Sequence, residues 1–168
     1  MQRLLLTDDL LTGIAAVDEQ HRQLFAWGNA LLFPEDGELS KDELNNGLVY
    51  LDAYVSFHFA TEEQAMDRMA YPRADAHHWQ HTHFRREIRL LQERALSAGP
   101  SQAVALQLHY LLYDWFAGHI RFSDAQLATW IRDRETTADV QPVTAQAMEQ
   151  LGLDPARVKV VGPGLFRV

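Results

Sequence analysis

Histidine pairs at helical spacing constrain the fold of this chain more than any other feature of its sequence. His58 and Glu62 are four residues apart, and so are His77 and His81. Residues four apart lie one turn apart on the same face of an α-helix, so each pair can place two polar side chains next to each other. The spacing therefore predicts that both pairs lie on helices.

Apolar residues recur with the period of an amphipathic helix in four long segments. These segments are predicted to run over residues 16–33, 40–69, 74–96 and 101–134. Ser40 and Glu43 form a capping box at the start of the second segment, and Gly99 with Pro100 ends the third. Four long helices with short connections favour an all-α, up-down-up-down antiparallel four-helix bundle.

The fourth segment carries His119 and Asp124, which are five residues apart instead of four. On a regular helix this step is about 140° around the axis. We therefore expect Asp124 to reach a site shared with His119 only from another side, or where the helix is locally distorted. A regular helical period predicts the following inward-facing residues in this segment: Leu108, Leu112, Trp115, His119, Phe122 and Leu127.

Histidines and carboxylates on all four segments are candidate metal ligands. The set comprises His21, His58, Glu62, His77, His81, His119 and Asp124. Burying so many ionisable groups in a bundle core is costly unless a cation compensates them. The chain has no cysteine, and nitrogen and oxygen ligands suit iron, zinc, copper or manganese. Seven ligands are too many for one ion, whereas two bridging carboxylates give one ion three histidines and the other two.

Three further histidines are predicted not to be ligands. His78 and His83 lie off the helix face that His77 and His81 define. His109 lies nearly three turns before the candidate histidine of the fourth segment. These residues provide an internal control for the assignment of the other five histidines.

Composition excludes several classes of function. The 168-residue chain has a formal net charge of −8, which argues against general nucleic-acid binding and against docking on an anionic membrane surface. No apolar run approaches the ~18 residues that a membrane-spanning helix needs, and the leucines near Met1 form too short a run for a signal peptide. The sequence therefore predicts a cytoplasmic protein without a nucleic-acid partner or membrane insertion.

The C-terminal part of the sequence differs from the rest. We divide the chain into a bundle over residues 1–134 and an extension over residues 135–168, which is less periodic and carries Thr, Val and Pro. Residues 144–151 are predicted to form a short helix that Gly152 ends, and residues 158–161 a short extended piece. The extension is interpreted either as surface-packed chain or as a segment that docks a protein partner.

Short motifs around the candidate ligands are spread over residues 8–134. They are Thr12-Gly13-Ile14, Val17-Asp18-Glu19-Gln20-His21, His58-Phe59-Ala60-Thr61-Glu62-Glu63, Tyr71-Pro72 followed by His77, His81 and Phe84, and Trp115 with His119-Ile120 and Asp124. In this combination the motifs resemble the hemerythrin family, especially its bacterial single-domain members. The resemblance implies a non-haem di-iron protein that binds dioxygen reversibly and is not an enzyme, so no catalytic residue is expected.

The resemblance also implies separate roles for the histidines. His77, His81 and His119 look like the ligands of a six-coordinate iron. His21 and His58 look like the ligands of a second iron, which keeps an open position for dioxygen. The two iron ions in such a centre are joined by an oxo or hydroxo bridge.

Glu62 and Asp124 look like the carboxylates that bridge the two irons in this family. A metal-bound imidazole normally donates its other N–H to a carboxylate or carbonyl. Asp18, Glu63 and Gln80 are the candidates for that second contact. Apolar residues next to the ligands are expected to line an oxygen pocket and to shield it from water: Leu24, Phe59, Trp115, Phe116 and Ile120.

Oxygen storage, transport or delivery is the leading functional hypothesis. One alternative is an oxygen or redox sensor that signals through the C-terminal extension. Another is the handling of small molecules such as peroxide or nitric oxide at the same centre. Iron storage is disfavoured because the sequence shows no cage-forming surface.

Overall fold

The computed structural model describes residues 1–35 and 37–134, and within these ranges four long helices form an antiparallel bundle. The helices are α1 (Ala15–Leu32), α2 (Lys41–Arg68), α3 (Ala74–Ala98) and α4 (residues 102–132), and a 3-10 turn at Asp8–Leu10 precedes them. This confirms the all-α four-helix bundle. The predicted extension, residues 135–168, lies outside the described residues.

Local signals in the sequence set the ends of α2 and α3. Ser40 Oγ accepts a hydrogen bond from the Glu43 N–H at 3.2 Å, and Glu43 Oε2 accepts one from the Ser40 N–H at 2.8 Å. The predicted capping box is therefore confirmed. Gly99 ends α3 with a φ of +68°, a left-handed conformation that glycine adopts without steric cost.

The start of α1 is fixed by the side chain of Asp18. Its carboxylate accepts hydrogen bonds from the backbone N–H and the hydroxyl of Thr12, both at 2.7 Å, and from the N–H of Gly13 at 3.0 Å. Gly13 has a φ of +77°, which allows the chain to turn around this carboxylate. The Thr12-Gly13 motif therefore fixes the angle at which the chain enters the first helix.

The bundle core consists of two apolar clusters of unequal size. The larger one fills the end where α1 and α2 are connected, and it includes Leu48, Leu91 and Leu108. The smaller one fills the other end with Ile14, Val17, Ala65, Met66, Tyr71, Leu127, Ala128 and Ile131. On every helix, the residues that join the smaller cluster are separated from those of the larger one by the candidate ligands. A polar layer therefore lies between the two clusters.

The fourth helix departs from regular α-helical geometry in two places. Tyr110–Phe116 and Ile120–Asp124 are π-helical. The Ala117 N–H donates to the Leu112 carbonyl and the Ala125 N–H to the Ile120 carbonyl, each five residues back. The second stretch lies between His119 and Asp124, and it corresponds to the local distortion that was one of the two expected ways for Asp124 to reach a site shared with His119.

The π-helical turn changes which side chains of α4 face the core. Leu108, Leu112 and Leu127 are buried as predicted, and Trp115 is half-buried. The prediction for Phe122 is wrong, because this side chain is 66% exposed. After His119 the π turn brings residue 124 to the inward position, and it leaves residue 122 on the outer face.

Helices α1 and α4 approach each other closely at Gly28. A Cβ added to this glycine would overlap Cδ1 of Leu112 and lie 3.0 Å from Cδ1 of Leu4. The absence of a side chain at this position therefore sets the separation of the two helices. None of the helices in the described ranges is both long and apolar enough to cross a membrane.

Candidate metal centre

The polar layer between the two apolar clusters brings together seven side chains from four helices. None of them is more than 5% exposed: His21, His58, Glu62, His77, His81, His119 and Asp124. They are the seven candidate ligands of the sequence analysis, and they form two groups that share Glu62 and Asp124. Because the helices alternate in direction, residues near the start of α1 and α3 meet residues near the end of α2 and α4.

The larger group contains three histidines and both carboxylates. One donor atom from each of the five residues lies within 4.8 Å of all the others. His119 Nε2 is 3.0 Å from Nε2 of His77 and 3.1 Å from Nε2 of His81. Two nitrogen ligands about 2.1 Å from one ion and at right angles to each other are about 3.0 Å apart. Both spacings therefore suit adjacent ligands of one octahedral ion.

The smaller group contains His21 and His58 with the same two carboxylates. The Nε2 atoms of the two histidines are 3.3 Å apart. This group offers one imidazole fewer than the larger one. An ion held by this group would therefore have fewer protein ligands than its neighbour.

The two carboxylates lie between the groups. Asp124 Oδ1 is 3.0 Å from His119 Nε2, whereas Asp124 Oδ2 is 3.4 Å from His21 Nε2. Glu62 Oε2 is 3.2 Å from His81 Nε2 and 3.9 Å from His58 Nε2. Each carboxylate thus contacts histidines of both groups, as a bridging ligand would.

Three carboxylate oxygens in this layer test whether a cation fits. Glu62 Oε2 and both oxygens of Asp124 are buried and have no hydrogen-bond partner among the described residues. Burying an acceptor without a partner costs about 1–3 kcal/mol, and more when the group is charged. The nearby imidazole nitrogens converge with these oxygens without forming hydrogen bonds to them. The donor set therefore fits metal ions, and the cluster is a candidate metal site.

Outer hydrogen bonds orient three of the imidazoles. The Nδ1 atoms of His58, His81 and His119 are 3.1, 2.9 and 2.7 Å from side-chain oxygens of Gln20, Glu63 and Gln80, respectively. When Nδ1–H donates to these oxygens, the lone pair of Nε2 points into the cluster.

Glu63 and Gln80 contact candidate ligands as the sequence predicted. Asp18 does not, because its carboxylate accepts hydrogen bonds at the start of α1. Gln20 was missed. Its amide N–H donates to Thr61 Oγ1 at 3.0 Å, which turns its carbonyl oxygen toward His58. A glutamine immediately before a ligand histidine gives no spacing signal, since consecutive residues point in different directions around a helix.

The sequence also matches a model of a known family. The "Hemerythrin HHE cation binding domain" matches residues 12–131, which include all seven clustered side chains. This match covers well over half of the chain. The chain belongs to the hemerythrin family.

Curated relatives in the hemerythrin family are similar over most of their length. A bacteriohemerythrin from Pseudomonas paraeruginosa is 31% identical over 134 residues, which are 79% of this chain and 84% of the relative. One from Stenotrophomonas maltophilia is 28% identical over 132 residues, with the same coverage. One from Clostridium acetobutylicum is 25% identical over 122 residues, covering 71% and 94%. No solved structure matches the chain significantly.

Aromatic rings surround the metal site of this hemerythrin. The Phe116 ring centroid lies 5.6 Å from that of His21 and 5.8 Å from that of His58, with both contacts edge to face. The Phe59 ring stacks on His81 at 3.7 Å. Among the five residues expected to line a pocket, Phe116 therefore lies directly against the two-histidine group.

Trp115 lies against the other group, because its ring stacks on that of His119 at 5.0 Å. Leu24 and Ile120 are fully buried in the larger apolar cluster. All five residues expected to line a pocket are thus packed in or beside the core.

Without a metal, the electrostatics of the layer are unfavourable. Burial lowers the pKa of His58 to about 3, so this imidazole is neutral and its lone pair is available to a metal. Burial would also lower the pKa of His77, but its close contacts with Asp124 and Glu62 raise it to about 10. Without a metal these two imidazoles of the layer thus favour opposite charge states, whereas metal binding requires both in the neutral form.

The remaining histidines lie outside both groups. His78 is 36% exposed and lies 3.6 Å from a carboxylate oxygen of Glu63. The rings of His83 and His109 are half-buried and stack on Trp79 and Tyr113. None of the three control histidines belongs to either group, although His78 lies close to Glu63, the outer partner of His81.

Proposed function

We propose that this hemerythrin binds dioxygen reversibly at a di-iron centre and serves in oxygen storage, transport or delivery. The observation that carries the proposal is the position of Asp124, whose two oxygens face different histidine groups at 3.0 and 3.4 Å. A carboxylate in this position could contribute one oxygen to each of two metal ions. Because the two groups contain unequal numbers of histidines, an ion held by the smaller group would have fewer protein ligands and could accept a small ligand.

The two ions would be held by different parts of the bundle. His77, His81 and His119 from α3 and α4 would hold the first iron. His21 and His58 from α1 and α2 would hold the second, which keeps the open position. Glu62 and Asp124 would bridge both.

The di-iron centre supplies the electrons for reversible dioxygen binding, and the chain controls its surroundings. Phe116 places an apolar edge beside His21 and His58 and keeps water away from this side of the site. Gln20 and Gln80 hold the rings of His58 and His119 in fixed orientations. The protein residues thus protect and orient the site.

The ligand composition favours binding over oxygen activation. Five imidazoles and two carboxylates supply less negative charge than the ligand sets of di-iron carboxylate proteins, which combine several glutamates with Glu-x-x-His motifs. Fewer anionic ligands stabilise high oxidation states of iron less well. We therefore propose a binding protein and not an enzyme, with peroxide or nitric oxide handling as the alternative activity.

The proposal is tested by oxygen cycling of the iron-loaded protein. Anaerobically reduced protein should be nearly colourless, gain visible absorption when oxygen is admitted, and lose it when oxygen is removed, over several cycles. Iron analysis should give two ions per chain. An immediate and irreversible spectral change would contradict reversible binding and favour the redox-sensor or reductase alternatives.

Two histidine variants connect the spectrum to the site. His58→Ala removes one of two imidazoles from the smaller group, so we expect the oxygen-dependent colour to be lost. His83→Ala changes a half-buried histidine outside the cluster and should cycle like the unmodified chain. If both variants kept full colour changes, the assignment of the open iron to His21 and His58 would be wrong.

A further inference from the structure

A groove runs along the outer surface of α4, and the part of it beside the metal site also contacts α3. It consists of two cavities of about 230 and 330 Å³, and Phe122 lines both. The smaller one, here called the upper cavity, lies beside the metal site and is lined by Trp79, Trp115 and Ser123. The lower cavity extends along α4 as far as Thr129, close to the point where the described chain ends.

The groove exposes two large aromatic side chains from different helices. Trp79 on α3 is 69% exposed and Phe122 on α4 is 66% exposed. Single exposed apolar residues are ordinary, but apolar side chains that line one groove indicate a binding surface. The π-helical turn of α4 is what places Phe122 there. The groove therefore depends on the π-helical geometry of the fourth helix.

We propose that residues 143–151 of the chain's own C-terminal extension bind in this groove. The described chain ends at Arg134, and nine residues from there to Val143 span up to about 30 Å when extended. The distance back along α4 from Arg134 to Phe122 is about 18 Å at the rise of a helix. The connecting chain is thus long enough to return along α4 and to place this segment between Phe122 and Trp79.

The sequence of this segment suits an apolar groove between two helices. Val143, Ala147 and Leu151 are four residues apart, so a helix places them on one face with Met148 beside them. Thr144, Gln146, Glu149 and Gln150 are polar. An amphipathic helix binds such a groove by inserting its apolar face and leaving its polar face in water.

Binding of this segment would cover one of the outer hydrogen bonds of the metal site. Gln80 lines the upper cavity, and its Oε1 contacts His119 Nδ1 at 2.7 Å and accepts a hydrogen bond from Ser123 Oγ at 2.7 Å. A bound segment would shield this network from water. The extension would therefore influence the metal site through Gln80, although the binding itself does not depend on the proposed oxygen chemistry.

The chain has no cysteine, so introduced cysteines can be labelled specifically. We would attach spin labels to the full chain at Thr82→Cys, which is exposed one turn beyond Trp79, and at Gln150→Cys, and measure the distance between them. Packed helices lie about 8–10 Å apart. Allowing for the labels, we expect a narrow population below about 20 Å.

Three further variants of the labelled protein test the contact itself. Leu151→Asp on the segment and Phe122→Ser in the groove should both replace the narrow population with a broad one. Tyr110→Ser is the control, because Tyr110 is a 56% exposed aromatic residue on the same helix outside the groove. All three changes affect exposed or C-terminal residues, so the melting temperature of the bundle should stay unchanged.

Two results would overturn the proposal. One is a broad distance distribution in the full chain that none of the variants changes. The other is a narrow distance that disappears when labelled protein is diluted with unlabelled protein, because the groove would then hold the segment of a second copy.

Discussion

Replacing Phe116 with leucine tests whether the ring beside His21 and His58 keeps water away from the metal site. Phe116 is fully buried, and its side chain has three more carbon atoms than leucine, which at about 0.8 kcal/mol per buried carbon predicts a loss of about 2 kcal/mol in unfolding free energy. Domains of this size are typically stable by about 5–15 kcal/mol, so the variant should remain folded.

The substitution should also have a functional effect that can be measured separately from its effect on stability. The smaller side chain leaves space on the His21 and His58 side, where water can approach. We expect the oxygenated protein to lose its reversible colour at least about fivefold faster, which corresponds to about 1 kcal/mol in the activation barrier. Repeated oxygen cycling and thermal unfolding would measure the two effects separately.

Phe84→Leu provides the matched control. Phe84 is equally buried, but its ring packs on Trp115 and Phe116 instead of on the two histidines. We expect the same loss of stability with an unchanged rate of irreversible colour loss. Equal acceleration in both variants would refute the specific role of Phe116 and indicate a general loosening of the core.

Four other substitutions test three separate features of the structure. Gly28→Ala should lower the unfolding free energy measured in thermal melts by about 1–3 kcal/mol, because the added methyl group overpacks against buried Leu112. Gly118→Ala is its control: the space around this position is open, so the unfolding free energy should rise by up to about 1 kcal/mol. Gln80→Leu removes the acceptor beside His119 and should weaken metal binding about 10–100-fold in a competition titration with a chelator. Ser40→Ala removes the cap of α2 and should cost about 1 kcal/mol in urea unfolding, without altering the iron content.

The sequence predicted the bundle because its signals are local and strong. The capping box at Ser40 and the stop at Gly99 depend on residues that are close in the chain. The seven clustered residues could also be named in advance, since histidines are costly to bury on four separate helices without a cation. That they bind iron, with the roles assigned above, stays a proposal.

The features that the sequence did not predict depend on helix geometry and on contacts between helices. The step from His119 to Asp124 indicated either an approach from another side or a distorted α4, but not that a π turn would expose Phe122. The contact of Gln20 with His58 depends on Thr61 on a neighbouring helix, which no spacing within one segment reveals.

The unequal size of the two apolar clusters has a consequence for how the bundle opens. The smaller cluster, around Met66 and Ile131, holds together the end of the bundle where α1 begins and α4 ends. The metal site lies between the smaller and the larger cluster, so bound metal would link the two ends of the bundle. Without metal, amide hydrogens around Leu127 should exchange with solvent through partial opening, while those around Leu91 exchange only on global unfolding. With metal bound, the two ends of the bundle would then unfold together as one cooperative unit.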